Sequence, residues 1–175
     1  QPDARVVGLV YGLSVAFLFA ASALYHLKKV KEGERSVWRR LDHLAIFFMI
    51  AGSYTPILWV HLDGPWRWGT LAAQWSMVAA GVVFKLWVLS TPRWITVGIY
   101  LAMGWMCVVA ARPLLAALDP GGLWLLLAGG LSYTLGVAFY VWKSLRFHHA
   151  VWHVFVLGGS VCHFFAVLLF VIPFG

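Results

Sequence analysis

The chain has 175 residues, of which 62% are apolar and 11% charged, and its mean hydropathy is +0.85. This composition leaves too little polar surface for a soluble globule and too much apolar length for a single membrane anchor. The net charge of +7 is not gathered in a polar domain that could bind nucleic acid. We therefore expect an integral membrane protein whose basic residues face anionic lipid head groups.

Six apolar intervals are free of Asp, Glu, Lys and Arg and have the length expected of membrane-spanning helices. They run from about residue 6 to 26, 43 to 60, 68 to 84, 94 to 111, 121 to 142, and 149 to 174. Breaker residues such as Asp63-Gly64-Pro65 and Asp119-Pro120-Gly121 separate them. The sequence lacks the ten-residue alternation of a membrane barrel. It therefore predicts an all-α bundle that forms a single domain over residues 1–175, with sequential helices as neighbours.

The loops after the first, third and fifth spans carry most of the basic residues. The first of these loops contains Lys28, Lys29, Lys31, Arg35, Arg39 and Arg40. The positive-inside rule places these odd-numbered loops in the cytoplasm and both ends of the given chain outside.

Histidines occur where spans meet the odd-numbered loops. His149 and His153 open the sixth span four residues apart, so they lie one turn apart on one helix face. His26 ends the first span and Asp42 opens the second, so all four residues share one side of the membrane. Ionisable groups at the edge of the hydrocarbon are costly unless they face the bundle interior with a partner. Three imidazoles with a fourth position open to water are typical of a catalytic zinc site.

Two further residues have a functional and a structural interpretation. Asp42 suits a proton acceptor or a carboxylate that orients a ligating imidazole, but an Asp at a helix start also caps free N–H groups. Ser22 lies one turn before His26 and could hold a metal-bound water or a substrate oxygen, or bond to the carbonyl four residues earlier. His163 lies about 15 Å deeper than His153 on a straight helix, so we expect it to hydrogen-bond a neighbouring helix.

Three separated motifs carry a family resemblance. They are S-A-L-Y-H from Ser22 to His26, L-D-H-L-A-I-F-F-M-I-A-G-S-Y-T-P from Leu41 to Pro56, and H-A-V-W-H-V-F-V-L-G-G-S-V-C-H-F-F-A-V from His149 to Val167. Together they resemble the haemolysin III branch of the progestin and adipoQ receptor family over nearly the whole chain. The resemblance implies a seven-helix bundle of the bacterial inner membrane that binds Zn²⁺ near its cytoplasmic face. The implied zinc ligands are His26, His149 and His153, with Asp42 and Ser22 around the bound water.

The first helix of that family, which opens with a motif of Glu, Asn and His, has no match in this sequence. We therefore expect the given chain to be a fragment that lacks one helix. Similarity to adiponectin receptors and, more distantly, to alkaline ceramidases implies hydrolysis of a lipid amide or ester, such as ceramide, that enters from the bilayer. The alternative is a lipid-sensing, receptor-like protein with structural zinc. A cytolysin is the third option, although no span has the polar stripe of a wide channel.

Overall fold

The computed structural model describes residues 2–28, 36–87 and 92–172, and over these ranges the protein is all-helical, without a β-strand. The helices are α1 (Pro2–Leu27), α2 (Val37–His61), α3 (Gly64–Trp87), α4 (Arg93–Gly104), α5 (Ala111–Ala117), α6 (Pro120–Val141) and α7 (His148–Phe170), with a 3-10 turn at Trp105–Val108. The predicted all-α class is confirmed. The predicted end of the sixth span at residue 174, and the loop residues Lys29, Lys31 and Arg35, lie outside the described residues.

Four of the described helices, α1, α2, α6 and α7, are long and apolar enough to cross a membrane, and counting the broken run from Trp94 to Ala117 as one span raises the number to five at most. The protein is thus an integral membrane protein. The third predicted interval, 68 to 84, lies within α3, which is not among the four. The prediction of one continuous helix from 94 to 111 is wrong, because α4 ends at Gly104 and α5 begins only at Ala111.

The chain divides into two compact units at Met106 and Cys107. In the first unit α2 packs against α1, α3 and α4. Its hydrophobic core joins Phe47 and Ala51 of α2 to Val78 of α3 and Met103 of α4. Gly81 allows the close approach of α3, because a Cβ there would lie 2.7 Å from the Phe47 ring. The hydrophobic core of the first unit is therefore centred on α2.

Side chains of neighbouring helices in the first unit bond to the carbonyls at the end of α4. The side-chain amide of Gln74, which is fully buried, donates from Nε2 to the Met103 carbonyl at 2.9 Å. The Tyr54 hydroxyl donates to the Gly104 carbonyl at 2.6 Å. Carbonyls at a helix end need partners when water is excluded, and here side chains of α3 and α2 supply them. The helix therefore ends without leaving these carbonyls unsatisfied.

The predicted breakers Asp63-Gly64-Pro65 and Asp119-Pro120-Gly121 do separate helices, whereas Arg112 and Pro113, also predicted to interrupt the spans, lie inside α5. Gly64 has a φ of +53°, a left-handed conformation that glycine adopts without steric cost, and it begins α3 after a two-residue turn that follows the end of α2. Arg67 donates to the Asp63 carboxylate at 2.5 Å across this turn. At the second predicted break, Asp119 caps α6 by accepting a hydrogen bond from the Gly121 amide at 2.7 Å, with Pro120 as the first helical residue.

In the second unit α6 and α7 pack against each other through glycines. A Cβ on Gly159 would lie 2.8 Å from the Tyr133 ring, and a Cβ on Gly136 would lie 2.9 Å from the Cβ of Phe155. The Tyr133 hydroxyl is hydrogen bonded to the Ser160 hydroxyl at 2.9 Å. Small residues thus bring the two backbones close enough for polar side chains to bond between the helices, as is common in membranes.

Candidate functional site

Asp42 lies in the first unit, where α2 packs against the end of α1. The hydroxyl of Ser22 donates a hydrogen bond to its carboxylate, and His26 interacts electrostatically with the same group. Ser22 and His26 are one turn apart on α1, which explains how both reach one residue of α2. The structure therefore brings together the hydroxyl, the carboxylate and one imidazole that the sequence singled out.

The helix-cap interpretation of Asp42 does not hold. The N-cap of α2 is Ser36, and Asp42 is the sixth residue of the helix, beyond the four free N–H groups at its start. Ser22 is likewise engaged across the helix interface rather than only with its own helix. Ser14, two turns earlier on α1, shows the contrasting case, since its hydroxyl bonds to the Val10 carbonyl at 2.8 Å.

Tyr25 packs beside His26, and Arg39 packs on Tyr25. The Tyr25 ring lies 5.0 Å from the His26 ring, and the Arg39 guanidinium lies 5.9 Å from the centroid of the Tyr25 ring. His26 itself is exposed within the described residues. Arg39 and Tyr25 thereby tie the start of α2 to the end of α1, a supporting role that the sequence did not reveal because Tyr25 is equally suited to interfacial packing.

The other two predicted ligands, His149 and His153, lie on one face of α7 in the second unit. Their Nε2 atoms are 3.2 Å apart and the two rings are nearly perpendicular, at 89°. Two nitrogens that each lie about 2.0–2.1 Å from one tetrahedral zinc are roughly 3.3 Å apart. The separation of the pair therefore fits two ligands of one ion, and the predicted i, i+4 geometry is confirmed.

Aromatic rings enclose this histidine pair. The Trp152 ring lies 5.3 Å from His149 and 4.6 Å from His153, and the Tyr140 ring of α6 lies 5.0 Å from that of Trp152. Gly136 allows this packing, because a Cβ there would lie 3.3 Å from Cδ1 of Trp152. Trp152 and Tyr140 were not predicted as neighbours of the histidine pair. The position of Trp152 between the two histidines in the sequence could have predicted its contact with both rings.

His163 is separate from this pair. Its Nε2 lies 3.4 Å from the Leu126 carbonyl of α6, which confirms the predicted hydrogen bond to a neighbouring helix. The five predicted site residues thus form two groups, each within its own unit. Ser22, His26 and Asp42 form the first, and His149 and His153 form the second.

The chain is similar in sequence to several known proteins. A family model described as "Haemolysin-III related" matches residues 1–164. Hemolysin-3 of Bacillus cereus is 42% identical over 171 residues, covering 98% of this chain and 78% of the relative. The Hemolysin-3 homolog of Bacillus subtilis (strain 168) is 40% identical over 164 residues, covering 92% and 75%. The human Monocyte to macrophage differentiation factor is 30% identical over 175 residues, covering 93% and 69%. No solved structure matches the chain.

Proposed function

The chain belongs to the haemolysin III family of membrane proteins, and from that premise we propose that it is a zinc-dependent hydrolase of a lipid amide or ester. The observation that carries the proposal is the convergence of the His149 and His153 Nε2 atoms to 3.2 Å. In the proposal His26 is the third ligand.

The donor set suits zinc. Each of the three histidines offers one imidazole nitrogen, and neutral imidazoles favour zinc over the hard cations magnesium and calcium. Three protein ligands leave one position open, as in catalytic zinc sites. When bound, zinc would supply a Lewis acid that polarises the carbonyl of a substrate.

Asp42 is the proposed general base and acid. An ionised carboxylate only accepts hydrogen bonds, so the Ser22 hydroxyl must donate to it and thereby fixes its orientation. Held in this way, Asp42 would take a proton from the attacking water and deliver it to the leaving amine or alcohol. Because the single O–H of Ser22 is donated to Asp42, the Ser22 oxygen would accept a hydrogen bond from the attacking water and so help to orient it.

The location of the site residues in membrane helices favours a lipid as the substrate. The site residues lie at ends of long apolar helices, where the amide or ester linkage of a lipid meets the head-group region. We propose an acyl lipid resembling ceramide, which would enter from the bilayer. We also propose that α3 and the broken run after Trp94 cross the membrane, giving six spans, and that a further helix belongs to the bundle. The basic residues of the odd-numbered loops support the further proposal that the site lies on the cytoplasmic side of a bacterial inner membrane.

The test combines metal analysis with product analysis. We expect purified protein to carry about one zinc per chain and to release free fatty acid from one member of a panel of ceramides, N-acyl lipids and lysolipids, scored by mass spectrometry with and without chelator. His149→Ala and His153→Ala should lose zinc and turnover together. His61→Ala, at the far end of α2, is the matched control and should keep both.

The Asp42→Asn variant distinguishes the contribution of metal binding to activity from that of proton transfer. This variant should retain zinc while turnover falls by about 10²–10⁴-fold, the usual contribution of a positioned acid–base group. Full hydrolytic activity of Asp42→Asn would overturn the role of Asp42. Zinc without any product would support the non-enzymatic alternative, a lipid-sensing protein with structural zinc. Leakage of vesicles without product would instead support a cytolysin, the activity that the names of the Bacillus relatives suggest for those proteins.

A further inference from the structure

Trp152 contacts both histidines of the pair on α7. The centroid of its ring lies 5.3 Å from that of His149 and 4.6 Å from that of His153. His149 is three residues before Trp152 and therefore on the same helix face, and His153 follows Trp152 directly. A rotation of either imidazole about its side-chain bonds would change its contact with the indole ring.

Residues of α6 hold the Trp152 ring on its other side. The Tyr140 ring lies 5.0 Å from the Trp152 ring and 6.3 Å from the His149 ring. Gly136, one turn before Tyr140, is buried, and a Cβ there would lie 3.3 Å from Cδ1 of Trp152. The indole ring is therefore packed between α6 and the histidine pair, and the position of α6 limits where both imidazoles can lie.

The contact between the two histidines orients one imidazole relative to the other. Their Nε2 atoms are 3.2 Å apart and their rings are nearly perpendicular, at 89°. This contact does not orient the pair relative to α6, whereas the ring contacts of Trp152 and Tyr140 do. Side chains that are ordered before a ligand binds lose less conformational entropy on binding, and the affinity is higher as a result.

We propose that Trp152 is a positioning residue that holds His149 and His153 in the geometry for binding a metal ion, with Tyr140 supporting its ring from α6. This inference rests on the proposed function, because it treats the two histidines as ligands of one ion. Residues that orient ligating side chains commonly contribute about 10–100-fold to metal affinity. Trp152 makes this contribution through ring contacts and is not itself a ligand.

The first test is titration of the metal-free protein in detergent with Zn²⁺, with thermal unfolding measured on the same samples. Trp152→Leu should weaken zinc binding at least about tenfold. Trp152→Phe keeps an aromatic ring beside the two imidazoles and should recover most of the affinity. Unchanged zinc affinity in Trp152→Leu would overturn the proposal.

Phe155→Leu is the matched control for packing. The Phe155 ring stacks on the Phe139 ring of α6 at 5.0 Å, so this substitution also removes a ring contact between α6 and α7. His153 is two residues before Phe155 and does not face it on the helix. Phe155→Leu should therefore lower the thermal stability while changing the zinc affinity less than about twofold. Equal losses of zinc affinity in Phe155→Leu and Trp152→Leu would show that Trp152 acts only through helix packing, which would overturn the proposal.

NMR of the metal-free protein provides a second test that does not depend on hydrolysis. Ring currents of a neighbouring indole displace the C–H signals of an imidazole, so those of His149 and His153, assigned with the two alanine variants, should differ from the signals of an exposed histidine. Trp152→Leu should move both sets of signals towards the exposed values, and Phe155→Leu should not. Zinc binding that depends on Trp152 would support the positioning role even in a protein that releases no product from any lipid, so failure of the hydrolase and failure of this proposal are distinguishable. Undisplaced signals in the metal-free parent protein would overturn the proposal whatever its activity.

Discussion

The two units of the protein are packed by different means. The side chains that are fully buried and large in the first unit are those of Phe47, Pro56, Leu58, Gln74 and Met103, whereas Val167 is the one such residue described in the second. The buried residues at the α6–α7 contact of the second unit are mostly Gly, Ala, Ser and Val. The first unit is therefore stabilised by interdigitated side chains, and the second by close approach of two helix backbones.

This difference extends to the site residues. Asp42 lies on α2, which contacts three other helices, and its carboxylate is held by a hydrogen bond from α1. His149 and His153 lie on α7, whose principal neighbour among the described helices is α6. The carboxylate proposed to transfer protons thus lies in the densely packed unit. The two imidazoles proposed as metal ligands lie in the simpler one.

The largest effect on stability should come from Phe47→Ala. Phe47 is 1% exposed at the centre of the core, and its ring packs edge-on against Tyr100 at 4.9 Å. Loss of a buried aromatic ring leaves a cavity and should lower the free energy of unfolding by about 3–5 kcal/mol. Thermal or denaturant unfolding of the protein in detergent measures the change.

Phe164→Ala is the matched control in the second unit. Its side chain is 49% exposed on α7, so its removal should cost less than about 1 kcal/mol. Similar losses in the two variants would contradict the distinction between a side-chain core in the first unit and backbone packing in the second.

The fold class and most helices could be predicted because long apolar runs without charge are the main sequence signal for membrane helices. The break between α4 and α5 could not be predicted in this way. The interval from Trp94 to Ala111 is uniformly apolar, and the groups that stabilise its broken end belong to Gln74 and Tyr54, on other helices. Hydropathy predicts that a segment is buried in the membrane or the core. It does not predict which backbone carbonyls of that segment accept hydrogen bonds from side chains on other helices.

The candidate site was partly predictable for a similar reason. The i, i+4 spacing fixed the relation of His149 to His153, because both lie on one helix. The bond between Ser22 and Asp42 joins two helices, and the sequence left the cap and back-bonding interpretations open for them. Trp152 and Tyr140 were missed because aromatic residues at span ends are also typical interfacial anchors.

A smaller effect should distinguish two adjacent glycines in α6. A Cβ on Gly129 would overlap the His163 ring, whereas a Cβ on Gly130 would have no neighbour within 4 Å. Gly129→Ala should therefore destabilise the protein by about 1–3 kcal/mol through overpacking of the α6–α7 interface. Gly130→Ala should be neutral or stabilising by up to about 1 kcal/mol, because alanine favours helix more than glycine.

The measurement is again thermal unfolding in detergent, with both variants compared with the parent protein. The two substitutions make the same chemical change in the same helix, so helix propensity cancels in their difference. Equal effects would show that the backbones of α6 and α7 do not approach closely at Gly129, and that the second unit is packed more like the first.

The smallest predicted effect concerns the residue that precedes α7. Phe147 has a φ of 61°, a left-handed conformation that costs a non-glycine residue about 1–2 kcal/mol, and its side chain is exposed beneath the Arg146 guanidinium at 4.8 Å. Phe147→Asn should stabilise the protein by about 0.5 kcal/mol, because asparagine tolerates this conformation and the lost cation–π contact is exposed. Phe147→Val should destabilise it by about 1 kcal/mol, since β-branched residues are least tolerated there. A valine variant as stable as the asparagine variant would mean that α7 begins without this strain. The backbone at Phe147 would then contribute nothing to the position of His149, which would depend on the packing of α7 against α6.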